Sequence, residues 1–241
     1  MMRQVRIPLL IALSAFVVWK GIIPAWTTVD SDFPNYYTGS HLVLAGVNCD
    51  SLYNNAWFGA QAVAVGLSSR AAFIPFPPAT VFVMMPVAWL APLPALRAWT
   101  LLNIALLLVA IVLLRSITKR DAIWCALIVL ASGQALANNF RLGQAYLVLT
   151  VGVLLIYRGM QRDRSFAAGV ALGVGAAIKY FPAMYALLLV NRKEWRTLFW
   201  AGISFTAIVI AAIAVVGIPA HVDFLSRIIF SMRERPIRHW F

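Results

Sequence analysis

The side chains able to do chemistry sit where apolar runs end. Asp30 and Asp32 stand in "TTVDSDFPNYYTGSHLVLAG" (27–46), straight after an almost unbroken apolar stretch, with Tyr36 and Tyr37 just behind. A carboxylate there has two readings. It can cap a helix starting at "FPNYY", a role open to Asp30 as well as Asp32. Alternatively it is a general base, taking the proton from an acceptor hydroxyl. Further along come Arg141 and Gln144 in "NNFRLGQ" (138–144), and Lys179 with Tyr180 in "IKYFP" (178–182). These cations can snorkel to an interface. They can also hold phosphate, Arg through its planar fork and Lys as a point charge. The "GQ" pair at 143–144 reads equally as a tight turn. His41, His221 and His239 are scattered, so no metal cluster is argued. Walker, GxSxG and HExxH motifs are absent. "GVALGVG" (169–175) has the small-residue spacing of close helix packing and is no phosphate loop.

Composition says what must position these residues. The 241-residue chain is 62% hydrophobic and only 12% charged, with a mean hydropathy of +0.84. A soluble domain carries about 25% charged residues. Long apolar runs recur throughout, predicting an all-α, polytopic transmembrane bundle in a single membrane domain. Short alternating segments, the mark of a barrel, are missing. A net charge of +12 suits basic loops facing anionic membrane lipid, and no loop is long enough for a nucleic-acid-binding domain. Cys49 and Cys125 lie in different settings and suggest no disulfide framework.

Charge then sets the threading. Arg3 and Arg6 precede a first transmembrane helix within 1–27, read as retained because no small-residue cleavage site follows it. Residues 28–96 read as an extracytoplasmic loop. Its segment 28–73 carries Asp30, Asp32, Asp50 and Arg70, a net of −2. "NYYTGSHLVLAG" and "NNAWFGAQAVAVGL" within it suggest interfacial helices. Transmembrane helices follow over 97–217, and 218–241 is a basic tail. "RSITKRD" (115–121), "RGMQRDRS" (158–165) and "NRKEWR" (191–196) each carry net +2 and should be cytoplasmic. The run 79–91, bracketed by prolines, is then a re-entrant or surface helix. Making it a true span would invert everything downstream. The favoured threading puts Asp32, Tyr36, Tyr37, Arg141, Lys179, Tyr180 and the tail at one extracytoplasmic face.

Several segments, taken in order, resemble a known family. "DFPNYYTGSHLVLAG…LY" (32–53), "FPPATVFVMMPVAWL" (76–90), "WTLLN" (99–103), "NNFRLGQ" and "AAGVALGVGAAIKYFPAMYALLLVNRKEWR" (167–196) are similar to the fingerprint of glycosyltransferase family 87, the polyprenyl-phosphate-sugar-dependent membrane enzymes. The resemblance implies a GT-C type N-terminal module with juxtamembrane helices in the first loop. It implies Asp32 as catalytic base, with Tyr36, Tyr37, Arg141, Gln144, Lys179 and Tyr180 binding substrate. A polyprenyl-phosphate-linked sugar is the implied donor, a lipid or glycan the acceptor, and inverting transfer of a mannose-like hexose the reaction. No cofactor or metal site is implied. Two departures stand out. Ala145 and Tyr146 follow the "GQ" pair where the family usually has Asn, and the family is longer, so the chain reads as a truncated N-terminal module in a plasma (inner) membrane. A lipid-linked sugar transporter or flippase, and a non-catalytic assembly subunit, are the alternatives.

Overall fold

Apolar runs become helices wherever proline and glycine leave the backbone ladder intact. The computed structural model describes residues 2–29 and 32–229, and every regular element among them is helical. Asp30, His239 and the second half of the basic tail, 230–241, lie outside the described residues.

Helix α1 (Met2–Val17) passes through a π-turn, Val18–Ile22, into α2 (Ile23–Thr27). Pro24 has no N–H for the carbonyl of Lys20, and the ladder widens: the Ile23 N–H reaches the Val18 carbonyl instead. Later come α5 (Pro92–Thr118) and α11 (Trp195–Val216). Val5–Thr27, Pro92–Thr118 and Trp195–Val216 are each long and apolar enough to cross a membrane. The protein is a polytopic helical membrane protein.

The apolar run 122–137, within the 97–217 segment expected to form transmembrane helices, is broken. Helices α6 (Ala122–Leu130) and α7 (Gln134–Arg141) meet at 75°, with Gly133 at φ +53° in the elbow. Proximity to the first span explains the bend. A Cβ at Gly21 would lie 2.8 Å from the carbonyl oxygen of Ala137, so α7 tucks against the π-turn where a side chain is missing. Helices α8 (Tyr146–Gln161) and α9 (Ser165–Ile178) follow. After the break at Lys179 and Tyr180, a 3-10 turn, Phe181–Met184, leads into α10 (Tyr185–Asn191). The small-residue spacing on α9 serves packing. Cβ atoms at Gly169 and Gly173 would meet Thr197 O at 2.5 Å and Ser204 Oγ at 2.1 Å, so α11 lies directly on that stripe.

No spanning helix forms over 79–91. Pro78–Phe82 is a 3-10 turn followed by further turns. Non-helical backbone inside a membrane protein needs partners for its carbonyls, and α3 (Phe33–Leu44) supplies them. Ser40 Oγ donates to the Val81 carbonyl, Tyr37 Oη to Leu90 at 2.7 Å, and His41 Nδ1 lies 2.9 Å from the Ala88 carbonyl. Helix α3 is therefore enclosed. Phe33, Tyr36 and Ser40 are fully buried, unlike the surface-lying helix expected from its half-apolar pattern. Helix α4 (Asn55–Ala64) starts where Asn54 Oδ1 accepts from Ala56 N and Trp57 N. After α11, helix α12 (Ile218–Asp223) folds back over this loop, where Phe224 packs 5.9 Å from the Tyr53 ring.

Cross-links sort the loops to two ends. Arg6 pairs with Asp121 at 3.3 Å, joining the 115–121 loop to the start of the first span. Gln144 reaches Asp32, joining the 138–144 loop to the far end of that span.

Candidate active site

Asp32 immediately precedes α3 but does not cap it: its side chain makes no capping hydrogen bond. The carboxylate turns instead to Gln144, whose Nε2 donates to Asp32 Oδ2. The capping reading gives way to a held carboxylate.

Buried bonds between distant motifs deliver Gln144. Asn139, 3% exposed, sits where α7 turns into α8. Its Oδ1 accepts from Tyr146 N at 3.0 Å and Leu147 N at 3.3 Å, satisfying the start of α8. Its Nδ2 donates to Asn103 Oδ1 at 3.0 Å, and Asn103 Nδ2 to the Trp99 carbonyl at 2.9 Å. Trp99 Nε1 closes the set by donating to the Gln144 carbonyl at 3.3 Å. "WTLLN" and "NNFRLGQ" are thus one structural unit. Glycine is required at 143. The residue has φ +64°, and a Cβ would stand 2.8 Å from Phe33 Cβ. That close approach brings the Gly143–Gln144 turn against the start of α3.

Lys179 arrives from the other side. Helix α9 ends at Ile178, whose carbonyl accepts from Thr80 Oγ1 at 2.7 Å, a buried bond tying the "FPPAT" segment to the residue before the lysine. Lys179 is extended (φ −141°, ψ 132°). Its ammonium stands 4.2 Å from the Tyr146 ring centre, 5.3 Å from Phe76 and 5.7 Å from Tyr36. Such an aromatic cage stabilises a cation by its ring faces. Burial pushes the amine down to about 8, and the Asp32 charge partly offsets that. Burial also drives the Tyr36 hydroxyl far above its ordinary range, with smaller contributions from Tyr146 and Asp32.

Asp32, Gln144, Lys179 and Tyr180 line one pocket of about 290 Å³, together with Asn35 and Tyr146. Tyr36 lies beneath it, fully buried, as a wall of the lysine cage. The other two expected site residues are elsewhere. Tyr37 Oη is spent on the Leu90 carbonyl, and its ring stacks on Phe33 and His41. Arg141 ends α7 as an exposed residue and is not among the described lining residues. Sequence reasoning missed Tyr146 as a site residue, although an aromatic two residues after Gln144, where the resembled family usually has Asn, was the available signal. An apolar cavity of about 600 Å³ adjoins the pocket, sharing Pro77 and Tyr180 with it and walled by Ala176, Phe205 and Leu225. Among the described residues, no group of three or more His, Cys, Asp or Glu could hold a metal ion.

A carboxylate, an amide and a caged ammonium beside an apolar cavity can take a proton from a hydroxyl and receive an anionic, lipid-bearing group. Comparison with known proteins agrees in kind. The chain is 28% identical over 149 residues to the polyprenol-phosphate-mannose-dependent alpha-(1-2)-phosphatidylinositol mannoside mannosyltransferase of Mycobacterium tuberculosis. That match covers 54% of this chain and 34% of the relative, about a third of its length. No solved structure matches. The model of glycosyltransferase family 87 matches residues 73–241, and the chain belongs to that family.

Proposed function

We propose that the protein transfers a mannose-like hexose from a polyprenyl-phosphate sugar to a hydroxyl of a lipid or glycan acceptor, at the membrane face where the 28–96 segment lies. The observation that carries this reading is the meeting of Asp32, Gln144 and Lys179 in one polar pocket that opens beside an apolar cavity. Family membership and the donor named for the mycobacterial relative support it.

The chemistry is a single displacement. The acceptor oxygen forms a bond to the anomeric carbon while the bond from that carbon to the phosphate oxygen breaks. Asp32 receives the acceptor's proton, and Gln144 fixes the rotation of the carboxylate. The departing polyprenyl phosphate keeps the bonding pair. Its added charge meets the Lys179 ammonium, which burial strengthens electrostatically. The isoprenoid chain occupies the apolar cavity, with Tyr180 at the junction. Inversion at the anomeric carbon follows from one displacement. By the positive-inside rule the reacting face is extracytoplasmic.

The test is transfer of radiolabelled mannose from polyprenyl-phosphate-mannose in membranes carrying wild type or Asp32→Asn. Loss of general-base catalysis costs about 10²–10⁴-fold. A variant that inserts normally and keeps its rate would end the reading.

A further inference from the structure

We infer that the crevice between α1 and α6 binds one anionic phospholipid, at the end of the bundle opposite Asp32. The crevice holds about 540 Å³, with Val5, Leu9 and Leu127 along its walls and Arg6, Arg120 and Asp121 among its lining. Apolar walls suit an acyl chain, and a basic mouth suits a phosphate.

Charge complementarity selects the occupant. Two guanidinium-bearing residues face one carboxylate, and Asp121 is the single acid among the described lining residues. That carboxylate is already engaged twice. It accepts the Trp124 N–H at 2.9 Å as the cap of α6, and it lies 3.3 Å from Arg6 Nη1. The Arg6 guanidinium also lies 5.3 Å from the Trp124 ring centre. It is thus held in place yet 31% exposed, open to a phosphate oxygen. An indole beside a basic mouth fits the headgroup level of a bilayer. A net positive site favours an anionic headgroup over a zwitterionic one.

The lipid would also bind where the fold is thin. Only 11% of the most apolar window of Val5–Thr27 is buried inside the protein. A chain filling the crevice and a phosphate across Arg6 and Arg120 would clamp α1 to α6. At 1.5 Å rise per residue this span is about 34 Å long, so the site lies a membrane thickness from Asp32. The inference does not depend on the proposed reaction.

The experiment is native mass spectrometry of the full chain released from nanodiscs of mixed phosphatidylglycerol and phosphatidylcholine. Wild type should retain phosphatidylglycerol over phosphatidylcholine by about fivefold, the worth of one surface basic residue. Arg120→Gln should lower that preference about fivefold. Asp121→Asn keeps a capping side chain and removes the anion, so it should raise the preference by a similar factor. Equal retention of the two lipids by wild type, as a neutral chain or a protein surface in the crevice would give, overturns the inference. So does an unchanged preference in both variants.

Discussion

Two aspartates stand immediately before helices, and the protein uses them in opposite ways. Asp121 does what its position suggests, accepting the Trp124 N–H at 2.9 Å and pairing with Arg6 in the open. Backbone bonding lowers its carboxyl below the ordinary range, with Arg6 adding a smaller pull. Asp32 occupies the same position relative to α3, makes no capping bond, and is held by Gln144 in the pocket it shares with Lys179. The difference lies in what else reaches the carboxylate. At Asp121 the competitors are solvent and one arginine. At Asp32, Gly143 lets a second loop come close enough to put an amide on it. A cap position is therefore only an offer, which tertiary structure can decline.

Substitutions can break or sharpen this contrast. Asp32→Asn should reduce mannosyl transfer by about 10²–10⁴-fold, while thermal stability in detergent stays near wild type because no cap is lost. Lys179→Met removes the cation proposed to receive the leaving phosphate and should cost about 10²–10³-fold in kcat. The same lysine predicts a pH dependence. Its amine is charged below about 8 and neutral above, so kcat/KM should fall as pH rises through that value. A flat profile up to pH 10 would remove Lys179 from the mechanism. Gly143→Ala forces an L-residue to φ +64° against Phe33. It should destabilise by about 1–3 kcal/mol and lower kcat by displacing Gln144, both readable from one purified sample. Thr80→Val deletes the bond to the Ile178 carbonyl and should cost about 1–3 kcal/mol for a buried carbonyl left unpaired. Smallest of all, Asp121→Ala should lower the melting temperature slightly and leave transfer unchanged.

Much of the fold was legible because hydropathy alone marks runs that water will not accept. The three long spans, the packing stripe at Gly169 and Gly173, and the break at Lys179 all follow from residue type and spacing. The elbow at Gly133 is not legible in the sequence, since "SG" inside an apolar run looks like tolerated small residues until another helix needs the space. Site residues divided on the same ground. Asp32, Gln144, Lys179 and Tyr180 could be gathered by motif and threading. The sequence could not show that Tyr37 is committed to a backbone carbonyl, or that Arg141 is not among the described lining residues of the pocket. Which hydrogen bond a polar side chain makes depends on neighbours that only folding brings. The pairing of Asn103 with Asn139 is the clearest case, being a buried contact between residues that look like ordinary helix polars.

The pocket's dependence on Thr80, Gln144 and Lys179 also dictates when it can exist. A ribosome delivers Asp32 with the first helix pair, supplies the amide only after the bent α6–α7 unit has been made, and the ammonium last, once α9 is complete. Until then the carboxylate has no cationic neighbour from α9 and the 78–91 turn has no tie to that helix. The pocket is therefore completed late in synthesis, because a nascent chain halted before residue 179 lacks both the caged lysine and the tie from Thr80 to the Ile178 carbonyl.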